Sequence, residues 1–143
     1  MKALKILTHP YTLIISFLAI MISGEHLGGF YVLYLLLGLP FGAIHSLLAL
    51  AGICSLLLGY HKYHRNNIHL AESIFKVIGT LLLFLSIYLF FLNDKEHYNY
   101  GTFYQTVPVI TLVFFSFLSV CFLLAAIIKA VKLKAGESNL LVP

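Results

Sequence analysis

Few side chains in this 143-residue chain have the chemistry to do more than pack. His45 stands alone in an uncharged run from Leu27 to Tyr60. An imidazole in such a run could ligate haem b, hydrogen-bond a quinone or relay a proton. Its plainer role, and the expected one, is a hydrogen bond to a serine or threonine on the first or the fourth helix. Glu25 and His26 precede the run and pair an acid with an imidazole; as turn residues facing water they need no further role. With His45 they make the candidate intramembrane polar site.

His61, His64 and His69, followed by Glu72, read H-x2-H-x4-H-x2-E. Imidazole and carboxylate suit zinc or iron. The spacing matches no established metal motif, and Cys54 and Cys121 both sit in apolar runs, where a thiol behaves as a small hydrophobe. Glu72 and Lys76 are spaced i, i+4 with the acid first, the favourable order for a helical ion pair. His97, Tyr98, Tyr100, Phe103 and Tyr104 crowd one loop, as interfacial aromatics do, with a docking surface for a partner as the alternative. There is no phosphate-binding glycine loop, dinucleotide fingerprint, nucleophile elbow or C-x-x-C, and no carboxylate in the middle of an apolar run. The chain is therefore expected not to be an enzyme.

The elements that must position these residues follow from composition. Hydrophobic residues make up 61% of the chain and charged ones 10%, against about a quarter charged in soluble domains. There is too little polar surface to clothe a water-soluble globule, so lipid is the expected outer solvent. The net charge of +4 sits at the ends of apolar runs rather than in a patch, which excludes a nucleic-acid surface. The pattern predicts an all-α integral membrane four-helix bundle in one domain, with transmembrane helices over about 4–23, 30–59, 70–92 and 107–131 and a flexible tail over 132–143. Residues 1–24 have the shape of a signal peptide, but Ile22-Ser23-Gly24 is a poor cleavage site, so retention is expected. Residues 27–60 would make about 51 Å of straight helix at 1.5 Å each, too long for a core of about 30 Å. The expectation is one tilted helix kinked at Pro40; the rival is a short interfacial segment at 28–38 before a span at 41–60. Lys2, Lys5, Lys62, Arg65, Lys129, Lys132 and Lys134 flank one set of ends, and Glu25, Asp94 and Glu96 the other. The positive-inside rule then places both termini and the 61–69 loop in the cytoplasm of a cell with an inner (plasma) membrane.

On the second helix Gly38, Gly42, His45, Ala49, Gly52, Ser55 and Gly59 fall on one face. Small residues let helices touch in lipid, where the hydrophobic effect does not drive them together. The third helix aligns Glu72, Gly79 and Ser86, and the fourth Ser116, Ser119, Ala126 and Ala130. The functional expectation is a non-enzymatic accessory or assembly subunit of a membrane complex, or a homo-oligomer, with lipid and a protein as partners. Two alternatives attach to His45: a redox subunit holding haem b or a quinone, and a small channel or carrier with a path beside Gly42 and His45.

Overall fold

The computed structural model describes residues 6–25, 28–64 and 69–140; at 63, 64, 69 and 132–140 it describes the backbone only. The chain folds as helix α1 (Pro10–Leu18), a hairpin of β1 (Met21–Ser23) and β2 (Gly28–Phe30), then helices α2 (Tyr31–Gly38), α3 (Ile44–Leu58), α4 (His69–Leu92) and α5 (Thr106–Leu140). Short 3-10 turns cover Leu39–Phe41 and Tyr100–Phe103, and a π-helical segment covers Gly59–His64.

The first element differs from the expected helix over 4–23. Helix α1 opens at Pro10, whose fixed φ and missing N–H suit the first helical position. The His9 ring caps it, accepting the Tyr11 N–H at 3.4 Å. After Leu18 the chain becomes extended, and β-branched Ile20 and Ile22 favour that state. Strand β1 pairs antiparallel with β2, Met21 opposite Phe30 and Ser23 opposite Gly28. Two threonine hydroxyls complete its bonding: Met21 N–H donates to Thr111 (3.0 Å) and Ser23 N–H to Thr102 (2.9 Å).

The single kinked helix expected over 30–59 is also corrected. It is two helices, separated by the turn that holds Pro40 and by Gly42 at φ 66°. That left-handed conformation costs an L-residue roughly 1–2 kcal/mol and glycine almost nothing. Ala43 is extended and begins α3. The arrangement found is the rival one, a short segment followed by a separate span. The tail is corrected as well: α5 runs on to Leu140 instead of ending near 131.

Helices α3 and α4 pack antiparallel at glycine contact. A Cβ on Gly52 would stand 3.0 Å from the Gly79 carbonyl oxygen, and one on Gly79 would stand 2.9 Å from that of Gly52. On the small-residue face of α3, Ala49, Gly52, Ser55 and Gly59 are all buried. Gly42 is the exception: it is exposed, with nothing within 4 Å of its would-be Cβ, so it is a turn residue and not a packing one. Helix α5 covers α4 on one side and α1 on the other, closing a core of Leu13, Phe17, Leu56, Leu83, Phe115, Leu118 and Phe122. Outward, Leu50, Ile78, Leu81, Val113, Phe117 and Leu124 are about half exposed. Among the described residues three stretches are long and apolar enough to cross a membrane: Ile44–Lys62, Leu70–Leu92 and Thr106–Val131. Tyr31–Phe41 is apolar but shorter.

Candidate functional site at the helix break

The break between α2 and α3 brings His45 against α4. Its backbone carbonyl, not its ring, makes the interhelical bond: the Ser86 hydroxyl donates to it at 2.7 Å. Ser86 has one hydrogen to give, so in its 2.9 Å contact with Tyr31 the Tyr31 hydroxyl is the donor. Tyr31 is fully buried and edge-on to Phe17 and Phe90. The relay Tyr31–Ser86–His45 therefore ties α2, α4 and the start of α3 together. No sequence signal marked it beyond the presence of Ser86 on the α4 stripe.

The His45 ring packs edge-on against Phe90 at 5.3 Å. Its Nε2 is buried and has no hydrogen-bond partner, and so is the Oγ of Ser46, the next residue. The expected ring-to-hydroxyl bond between helices is therefore not the one formed. Both orphaned atoms converge on Gly38 at the end of α2. A Cβ built there would lie 3.2 Å from Nε2 and would collide with Oγ. Glycine is required because only a bare Cα lets α2 close over the two polar atoms. Ser46 is only 1% exposed, and it stands too early in α3 to return its hydroxyl to a helical carbonyl four residues back, since Gly42 lies in the turn. Each unpaired buried polar group costs about 1–3 kcal/mol.

The second polar cluster joins α4 to α5. Glu72, 1% exposed, accepts from Lys76 at 2.6 Å and from Lys129 at 2.7 Å through different carboxylate oxygens. The i, i+4 pair was legible in the sequence; Lys129, 57 positions away, was not. Lys76 also stands over the Phe122 ring, 5.5 Å from its centroid.

The remaining candidates separate. Glu25 stands at the end of the bundle that carries the 93–105 loop. Its N–H donates to the Tyr98 carbonyl at 2.9 Å, and it lines a cavity of about 360 Å³ with His97, Tyr100 and Tyr104. His26 lies outside the described residues. His61 is at the opposite end, in the π-helical segment, with its Nε2 2.7 Å from the Tyr11 hydroxyl. Tyr60 and His9 meet edge-to-face beside that pair, their ring centroids 4.8 Å apart. The side chains of His64 and His69 lie outside the described residues; among those described, no group of three metal-ligating side chains gathers.

Fold and site together define a helical transmembrane protein. Compared with known protein families, curated proteins and solved structures, the chain matches none of them.

Proposed function

We propose that the protein is a non-enzymatic, multi-pass component of a cell's inner (plasma) membrane, acting as an accessory or assembly subunit of a larger complex or as a homo-oligomer. The observation that carries this reading is how the interior spends its polar groups. Glu72 is neutralised by two lysines. The hydroxyls of Ser16, Thr80, Thr111, Ser116 and Ser119 each bond a carbonyl of their own helix. Among the described residues the exceptions are His45 Nε2, Ser46 Oγ and Ser73 Oγ, buried without a partner. The surface that supports a partner is the outward one: an apolar belt, and an aromatic loop end where Tyr104 is 86% exposed.

The same reading gives four crossings. Helix α1 supplies about 14 Å of rise and residues 20–23 about 13 Å of extended chain, together close to the hydrocarbon thickness. Lys62, Lys76 and Lys129 then mark the cytoplasmic end, and Glu25, Asp94 and Glu96 the other. The extended stretch is tolerable at that depth because its amides are satisfied by protein.

Extraction of native membranes in mild detergent, with chemical cross-linking beforehand, tests the proposal. The expected result is a discrete species larger than one chain in detergent. A chain that stays monomeric and partnerless before and after cross-linking would overturn it.

A further inference from the structure

We infer that the break between α2 and α3 is a binding site for the head of a lipid-soluble amphiphile that presents a carboxylate or carbonyl oxygen, and that α2 is the flap over it. Three kinds of group converge there. The Ser46 hydroxyl is buried and unpartnered, and His45 Nε2 is buried and unpartnered beside it. Both point at Gly38. Helix α3 opens at the same place, and its N-cap, Ala43, has no side chain to cap the first amides; Ser46 and Leu47 N–H donate to the Ala43 carbonyl and Ala43 N–H to the Gly38 carbonyl, which leaves the amides of Ile44 and His45. The opening N–H groups of a helix have no carbonyl of a preceding turn to bond and carry partial positive charge.

A hydroxyl and helix-terminal amides are donors, and the His45 ring joins them in the tautomer that carries its proton on Nε2. What satisfies donors is an oxygen with lone pairs, and the sign of the helix end favours an anionic one. The surroundings specify the rest of the molecule. Leu36, Leu37, Phe41 and Ile44 are exposed around the break, so a ligand reaching Ser46 would lie along an apolar surface. A free fatty acid and a quinone share this chemistry, an oxygen-bearing head on an apolar body.

The cover is built to move. Helix α2 is eight residues long and buries only Tyr31 and Leu35. It is joined to α3 through Gly42, left-handed with nothing within 4 Å of the Cβ a substitution would add, and one backbone bond, from the Ala43 N–H to the Gly38 carbonyl at 3.0 Å, must open for it to move. Closed, Gly38 seals the donors without pairing them. Displacing α2 while its first residue stays anchored, with Tyr31 N–H on the Ile20 carbonyl at 2.7 Å, exposes them to a ligand that pairs them.

Radiolabelled oleate and radiolabelled decylubiquinone, each titrated onto the full chain in nanodiscs, test the site. One saturable site is expected for at least one probe, and the probe that saturates names the source of the oxygen. Ser46→Ala is expected to weaken binding about tenfold, as loss of one charge-assisted hydrogen bond would. The same variant should melt no lower than wild type, because the hydroxyl it deletes has no partner in the closed state. His45→Phe should weaken binding as well, and hydrogen exchange of the α2 amides should change when the probe is bound. Saturation by neither probe, or equal affinity in wild type, Ser46→Ala and His45→Phe, would overturn the inference.

Discussion

Removing the carboxylate of Glu72 should be the most damaging single change in the bundle. Its two oxygens lie 2.6 and 2.7 Å from Lys76 and Lys129. In Glu72→Gln the shape survives and the charge does not. The two ammonium groups on either side of the carboxylate repel one another in the wild type too, where the attraction of each to Glu72 outweighs that repulsion. Glu72→Gln removes the attraction and leaves the repulsion. Breaking a buried ion pair by removing one partner costs about 3–5 kcal/mol. Lys76 and Lys129 keep 15% and 35% of their side-chain surface in contact with solvent and can swing outward, so the lower end, about 3 kcal/mol, is expected. Lys129→Met alone should cost less, about 1–2 kcal/mol, because Lys76 still faces the carboxylate. The double variant should be more stable than the sum of the two losses implies, by about 1–2 kcal/mol, since the Glu72–Lys129 attraction enters both single losses but is lost only once. Reversible unfolding in mixed dodecyl maltoside–dodecyl sulfate micelles reads all three. A Glu72→Gln protein within about 1 kcal/mol of wild type, or strictly additive losses, would refute the reasoning.

Other outcomes follow from the same contacts. Gly79→Ala places a Cβ 2.7 Å from Leu56 and 2.9 Å from the Gly52 carbonyl; backbone cannot yield, so unfolding in the same micelles should show a loss of about 1–3 kcal/mol. Gly42→Ala meets no atom yet should lose about 1 kcal/mol, through its left-handed backbone alone. Ser86→Ala should cost more than Tyr31→Phe, about 2–3 against about 1 kcal/mol, because it orphans both the Tyr31 hydroxyl and the His45 carbonyl; the reverse order would dismantle the relay. For the proposed crossings, single cysteines replacing Lys62 and Lys95, in a chain with Cys54→Ala and Cys121→Ala, should react with a membrane-impermeant maleimide from opposite faces of oriented vesicles. Reaction from one face only would exclude four crossings.

How much of this could be read from residues alone depends on where each restraint comes from. The three long helices were legible because their signal is local: more than 18 consecutive apolar residues suffice. The α3–α4 contact was legible in part, since Gly52 and Gly79 stood on small-residue faces, although nothing in the sequence said that those two faces were partners. His45 drew attention through its ring, whereas the interhelical bond goes to its carbonyl, which every residue has. Ser46 was overlooked: a lone serine among leucines normally bonds its own helix, and only the break behind it denies that option. The break itself had two visible cues, Pro40 and Gly42, read as a kink plus a packing residue. Together they make a turn, since proline donates no hydrogen bond and glycine two positions later can reverse the chain.

The first segment shows why an apolar run does not specify a helix. Residues 11–22 have the hydropathy of a spanning helix, yet the helix stops at Leu18. A helix satisfies its amides from within the segment, so it is the default in lipid. An extended stretch needs outside partners for every N–H that faces lipid or core. Here those partners come from distant positions: Thr111 and Thr102 for Met21 and Ser23, and β2 for the hairpin itself. The hairpin then feeds α2 directly from Phe30 into Tyr31, setting the tyrosine at the depth of Ser86. Had α1 continued as a helix to Ser23, Ile20 would have offered its carbonyl to residue 24 rather than to Tyr31, and α2 would have lost its only described backbone anchor to the first segment. Extending α1, for example by Ile20→Ala with Ile22→Ala, removes the β-branched preference and should release α2. Faster hydrogen exchange at residues 31–38, with that of α4 unchanged, is the expected signature; unchanged protection of α2 would show that Tyr31 is held by its side chain alone.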